Sequence, residues 1–173
     1  SDKEYDLLLK KLLELEKQFP QFRTDDSPTQ RVGGVILDKF NTIEHKAKMF
    51  SLGNTYSIEE LKDWENRVRK NLVNEKIEYI AELKIDGVSA NLLYENGKLK
   101  TGASRGDGEK GEDVTINLKT IRAIPLVLRG VDYPGVIEIR GEVYMEIDDF
   151  KYMNQEKEKN GEILFANPRN AAS

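Results

Sequence analysis

The chain of 173 residues contains no cysteine and a single histidine. Without cysteine there is no disulfide framework and no thiolate zinc site. A lone imidazole, His45, cannot build a histidine metal cluster, so no resident metal site is expected within the chain. No apolar run approaches the roughly 20 residues of a membrane span, and Ser1-Asp2-Lys3-Glu4 is not a signal peptide. The cytosol is therefore the default expectation, with no membrane partner. Charge, by contrast, is abundant: 34% of residues are charged, with a formal net charge of −4. That balance gives no global pull toward nucleic acid, so any such role must rest on a local patch. The length allows one sizeable core, or a domain with a helical appendage.

Ser1 and Glu4 have the spacing of a capping box. Tyr5, Leu8, Leu9, Leu12, Leu15 and Phe19 then recur at helical spacing until Pro20, which predicts an amphipathic helix in need of a packing surface. A chain opening directly on a helix cap is expected to continue upstream. Residues Thr24 to Gly34 carry loop chemistry and are the best linker candidate. Ser57 and Glu60 repeat the capping-box pattern, and Ile58, Leu61, Trp64, Val68 and Leu72 predict a second helix. From Ile77 the period drops to two. Val88 to Tyr94, Asn96-Gly97 and Lys98 to Ser104 predict a tight hairpin. Asp113 to Ile121 reads as a short helix and Val136 to Met145 as a strand. Ile147, Phe150 and Met153 mark a last helix, ended at Asn160-Gly161. The expected class is α+β: a helical N-terminal arm, then an antiparallel sheet with flanking helices.

The stretch that organises the rest is Glu82-Leu83-Lys84-Ile85-Asp86-Gly87. The lead-in Ile77-Glu78-Tyr79-Ile80-Ala81 is rich in β-formers and predicts a strand that delivers Lys84 to its end. Alternate residues of a strand share a face, so Glu82, Lys84 and Asp86 would point into one cavity. Gly87 would then permit a turn that a Cβ resists. A primary amine between carboxylates suits a nucleophile, although Lys-x-Asp-Gly is also an ordinary strand-to-turn sequence.

Its company changes that balance. Ser27-Pro28-Thr29-Gln30-Arg31-Val32-Gly33, Glu82 to Gly87, Ser104-Arg105-Gly106-Asp107-Gly108 with Gly111-Glu112-Asp113, Arg140-Gly141-Glu142-Val143 and Phe165-Ala166-Asn167-Pro168-Arg169-Asn170 stand in order and at similar spacing. In this the chain resembles bacterial NAD-dependent DNA ligases over essentially its whole length. Lys-x-Asp-Gly alone suggests only the wider nucleotidyltransferase superfamily; the Ser-Pro-Thr-Gln-Arg-Val-Gly and Asn-Pro-Arg-Asn blocks are similar to the NAD-dependent branch.

The resemblance implies a helical arm over residues 1–37, contacting the nicotinamide half of NAD, and a truncated nucleotidyltransferase domain over 38–173. It implies that Lys84 attacks the α-phosphate of NAD and holds AMP as a phosphoramidate. AMP then passes to the 5′-phosphate of nicked double-stranded DNA, and the 3′-hydroxyl displaces it, in replication and repair. A free lysine has a pKa near 10.4, so its amine needs desolvation or nearby cations to become a nucleophile. Magnesium is implied as a helper for the phosphate charge; zinc is implied only for parts of the family beyond Ser173. By the same resemblance Glu82 faces the adenine, and Asp86 contacts the ribose region or supports the lysine. Arg105 is a nucleotide-contacting arginine and Glu142 a ribose-contacting glutamate. Ser51 and Leu52 line the adenosine pocket. Asp2, Tyr5 and Asp6 grip the nicotinamide half. Arg169 is a candidate for a nucleic-acid phosphate. Asp107 and Asp113 are expected as turn and cap residues, and His45 as structural.

The chain departs from the family in reading Lys46-Ala47-Lys48-Met49, where a proline usually precedes the methionine. The family's later motifs, with further nucleotide-contacting lysines, lie beyond Ser173, so the chain by itself is not expected to seal nicks. Two other readings stand beside this one. An ATP- or GTP-using nucleotidyltransferase would gain AMP or GMP without NAD. A non-catalytic binding module need not keep Lys84, Glu82, Arg105 and Glu142 together.

Overall fold

The computed structural model describes residues 2–24, 26–31, 40–72 and 75–173, without the side chains of residues 2, 3 and 6. Two compact units emerge, one built from residues 1–49 and 86–173 and the other from residues 50–85.

The larger unit is organised by strand β2 (Val88–Glu95), which pairs antiparallel with β3 (Lys98–Ser104) on one side and β5 (Val136–Val143) on the other. The expected hairpin forms as its sequence dictates. Asn96 and Gly97 take φ of 50° and 76°, the left-handed pair that a two-residue turn with right-twisted strands demands. Alternation then divides the sheet. Leu92 and Tyr94 face the side shared with Ile139 and Ile137, while Ser89 and Asn91 face the side shared with Glu142 and Arg140. Tyr94, 1% exposed, anchors the apolar side with Leu99 and Leu126, and Ile124, Leu128 and Ile137 pack around them. Burial on this scale is worth roughly 2–3 kcal/mol for one such side chain. The Tyr94 hydroxyl is not left dry; it donates to the Pro125 carbonyl at 2.8 Å.

A small second sheet, β1 (Thr42–Glu44) with β4 (Lys110–Glu112), lies in the same unit. Helix α1 (Asp2–Gln18) stops before Pro20 as expected; its Ser1 cap lies outside the described residues. Helices α3 (Thr115–Thr120), α4 (Ile147–Lys159) and α5 (Pro168–Ala172) complete the unit. Gly161, at φ 69°, follows α4 where the sequence placed its end.

The stretch expected to be a linker is tied down at Ser27, Thr29 and Arg31. Ser27 and Thr29 are buried, and both hydroxyls donate to the Glu16 carboxylate on α1 at 2.5 Å. Arg31 donates to the carbonyls of Lys119, Ile121 and Ile124, gathering the acceptors left open around the end of α3. Buried hydroxyls satisfied by a carboxylate mark a packed segment, not a free tether.

The smaller unit contains α2 (Ile58–Asn71), capped as its sequence predicts: the Ser57 hydroxyl accepts from Glu60 N–H at 3.1 Å. The strand expected over Ile77 to Ala81 is not formed. Residues 77–86 are described without regular structure, and Ile80 and Leu83 are 88% and 89% exposed. Among the described residues their β-propensity finds no partner strand, and propensity without pairing does not make a strand. Glu82, Lys84 and Asp86 therefore do not share the face of a strand.

Candidate functional site

Glu142 is the hinge of the polar sheet face. It lies opposite Ser89 across the β2/β5 ladder, and its Oε2 accepts from the Ser89 hydroxyl at 2.8 Å. Its Oε1 accepts from Gly87 N–H at 3.1 Å, just before β2 begins. The carboxylate therefore clasps the end of the Lys-x-Asp-Gly block to β5. Gly87 is required here by space: a Cβ would stand 2.2 Å from the Val143 carbonyl oxygen. The expected reason, a turn conformation, does not apply, since Gly87 has no positive φ.

Beside this clasp two more expected residues meet. Arg169 Nη1 lies 3.5 Å from Asp86 Oδ1, with both side chains largely exposed. Arg169 is carried by α5, whose Asn167 cap accepts from Asn170 N–H at 2.8 Å. An exposed pair of this kind contributes little stability, so neither group is sequestered from a ligand phosphate or hydroxyl.

Arg105, half-buried, opens the turn between β3 and β4. Its carbonyl accepts from Gly108 N–H at 3.0 Å and from His45 Nε2 at 3.1 Å. Asp107 behaves as the turn residue expected, accepting from Lys110 and Glu109 N–H groups, which hold its carboxyl below the usual carboxylate range. Asp113 likewise accepts from Thr115 N–H at the start of α3.

On α1, Tyr5 is 42% exposed and lies under the Arg122 guanidinium, 5.0 Å from ring centroid to Cζ. Asp2 and Asp6 are in the same helix, but their side chains lie outside the described residues. In the smaller unit Ser51, Leu52, Glu82 and Lys84 are all exposed. The unit is otherwise held by α2 and by a Trp64–Tyr79 ring pair with centroids 5.6 Å apart. The structure thus joins Gly87, Ser89 and Glu142 in one cluster and Asp86 with Arg169 in another, and it leaves Tyr5 paired with Arg122.

Sequence reasoning missed what stands behind Arg105. His45, Asn91, Glu138 and Arg140 form a network on the polar face, and Arg140 donates to the carbonyls of Ala47 and Lys48 at 2.6 and 3.1 Å. One signal was available: Asn91 interrupts an apolar strand, and a polar residue in such a position must find partners.

A family model for the NAD-dependent DNA ligase adenylation domain matches residues 37–173. The chain belongs to the NAD-dependent DNA ligase family. A second model, described as the DNA ligase-like N-terminal NAD+-binding domain, matches residues 1–33. Among curated relatives the chain is 54% identical to a DNA ligase of Thermotoga petrophila over 100% of its length and 25% of the relative's. It is 55% identical to a DNA ligase of Bacteroides fragilis, again over 100% of this chain and 26% of that one. The chain therefore spans about a quarter of these relatives' length. It is a ligase-family chain of mixed helix and antiparallel sheet, NAD is the substrate of the family, and no described helix is long and apolar enough to cross a membrane.

Proposed function

We propose that the whole protein seals nicks in double-stranded DNA at the expense of NAD, and that Lys84 is the residue that carries AMP. The observation that carries this reading is the Glu142 clasp on Gly87, which fixes the end of the Lys-x-Asp-Gly block inside the region matched by the adenylation-domain model. Lys84 Nζ, once deprotonated, attacks the α-phosphorus of NAD. The bond to the nicotinamide mononucleotide oxygen breaks, and a phosphoramidate to AMP forms. The DNA 5′-phosphate then takes AMP from Lys84, and the 3′-hydroxyl displaces AMP to close the strand. Positioning and charge stabilisation carry such transfers.

In this reading Glu82, Ser51 and Leu52 meet the adenosine, Asp86 and Glu142 the ribose region, and Arg105 the nucleotide phosphates. Arg169 takes a DNA phosphate. Residues 1–37 serve as the arm that receives the nicotinamide half through Asp2, Tyr5 and Asp6, and 38–173 supply the N-terminal part of the nucleotidyltransferase domain. Among the described residues no three His, Cys, Asp or Glu side chains cluster. Single exposed carboxylates such as Asp86 suit magnesium, which takes one or two carboxylates and leaves the rest to water and substrate phosphates. When bound it would neutralise phosphate charge. Zinc is assigned to parts of the family outside this cysteine-free chain. The proposed setting is the bacterial cytoplasm at the nucleoid, in replication and repair.

The test uses the full-length ligase that carries this chain. Lys84→Ala and Lys84→Arg are both expected to abolish the covalent AMP adduct formed with NAD, since guanidinium does not deprotonate. AMP-labelled protein from either variant, seen on a denaturing gel, would overturn the assignment.

A further inference from the structure

Asn91 is 4% exposed, lying on β2 between Glu138 of β5 and His45 just after β1. Its amide nitrogen is 3.0 Å from Glu138 Oε1 and 3.0 Å from His45 Nδ1. His45 Nε2 in turn lies 3.1 Å from the Arg105 carbonyl oxygen. The two ends of this chain dictate its direction. Burial pushes the Glu138 carboxyl up, but the Lys46 N–H, the Asn91 amide and Arg140 together hold it below the usual range. Ionised, Glu138 can only accept, and a backbone carbonyl can only accept. Asn91 therefore gives one amide hydrogen to Glu138 and the other to His45 Nδ1. The ring proton is left on Nε2, where it is donated to Arg105. Flipping the amide would set Asn91 Oδ1 against two acceptors.

The surrounding backbone is stitched to the same turn. His45 N–H donates to the Glu109 carbonyl at 2.9 Å and Met49 N–H to the Gly108 carbonyl at 2.8 Å. We propose that His45 is a positioning residue for Arg105: the Glu138–Asn91–His45 relay fixes the carbonyl from which the Arg105 turn departs, and so aims Arg105 at the nucleotide. The inference rests on the reading of Arg105 as a nucleotide contact. His45 touches no substrate in it.

The experiment is a double-mutant cycle in the full-length ligase, reading the single-turnover rate of enzyme adenylation by NAD. His45→Asn loses the reach to the Arg105 carbonyl, whereas His45→Gln can place an amide N–H there. His45→Asn is expected to slow adenylation by about 10- to 100-fold, the scale set by a misplaced functional group, and His45→Gln to stay within a few-fold of wild type. In an Arg105→Ala background His45→Asn should add almost nothing, because both changes remove one contribution. Nitrogen-15 NMR of the full-length ligase at pH 8, with the His45 signal assigned by its loss in His45→Gln, reads the tautomer, and the Nε2–H form is expected. If Arg105→Ala adenylates normally, the assignment of Arg105 fails and the inference with it. If Arg105→Ala is impaired but His45→Asn is silent, or its effect is fully retained in the double variant, the relay alone is overturned. Equal losses in the Gln and Asn variants, or an Nδ1–H tautomer, overturn it as well.

Discussion

The two units hold their functional side chains in opposite ways. In the larger unit Glu142, Arg105 and their supports are fixed by hydrogen bonds across paired strands, over a core in which Tyr94 is 1% exposed. In the smaller unit no described residue is buried, and Lys84 belongs to a stretch without regular structure. Preorganisation is thus concentrated where, in our reading, ribose and phosphate are met, while the nucleophile is carried on a segment with few internal constraints. Segments with little buried apolar contact open at low free-energy cost. A nucleophile that must first meet NAD and then present AMP to DNA suits such a segment.

The largest effects should come from the catalytic assignments, and they separate the arm from the rest. Tyr5→Ala in the full-length ligase is expected to slow reaction with NAD by about 10²-fold or more, the scale of a lost positioning contact. Sealing of a pre-adenylated nick should be nearly unchanged, because a contact made only with the leaving group has no role once that group has gone. Equal losses in the two assays would give Tyr5 another task.

Two glycines test the comparison between the units directly. Gly87→Ala drives a Cβ to 2.2 Å from the Val143 carbonyl oxygen, whereas an added Cβ at Gly53 meets nothing within 4 Å. The first should cost about 3 kcal/mol, in the range of forced overpacking, and should also loosen the Glu142 clasp. The second should change stability by less than about 0.5 kcal/mol, or raise it slightly by restricting the unfolded chain. Thermal melts of both variants decide the matter. A tolerated Gly87→Ala would mean that β5 yields easily and that the clasp is not rigid.

These glycines also mark how far the sequence could be read. Helices α1, α2 and α4 and the β2/β3 hairpin were legible because caps, periodicity and Asn-Gly turns are local signals. The residues that crowd Gly87 come from β5, more than fifty positions away in the chain, so its requirement for glycine was visible but the cause was not. The failed strand over Ile77 to Ala81 has the complementary explanation: the local pattern favours a strand, but no partner strand pairs with it among the described residues. The β1/β4 pair escaped notice because each strand has only three residues, too few for a period to declare itself. The surroundings of His45 carry no local pattern, because Asn91 and Glu138, which join it in one hydrogen-bonded chain, come from different strands.

A smaller effect is expected at α2. Replacing Ser57 by alanine removes the acceptor for Glu60 N–H and should cost about 1 kcal/mol of helix stability. Amide hydrogen exchange should show the loss over Ile58 to Asn71 and not over β2. Deprotection that spreads equally to Leu92 and Tyr94 would mean that the two units unfold together and do not differ in local stability.

The smallest effect concerns the segment between α1 and the rest of the larger unit. Glu16 accepts from the hydroxyls of Ser27 and Thr29, with Arg23 at 4.0 Å. The Ser27 hydrogen bond first, then Thr29 and the Arg23 charge, hold the Glu16 carboxyl below its usual value despite partial burial. A carboxyl lowered in the folded state binds its proton more weakly there than in the unfolded chain. Its stabilising contribution is therefore complete above the ordinary glutamate range, about pH 4.3, and is lost as pH falls through the lower folded value. Glu16→Gln should melt below wild type at pH 7, and the gap should close as pH drops from about 5 toward 3. A gap that is constant across that window would show that the carboxylate charge is not what holds Ser27 and Thr29, and that the glutamine amide simply fits the pocket worse.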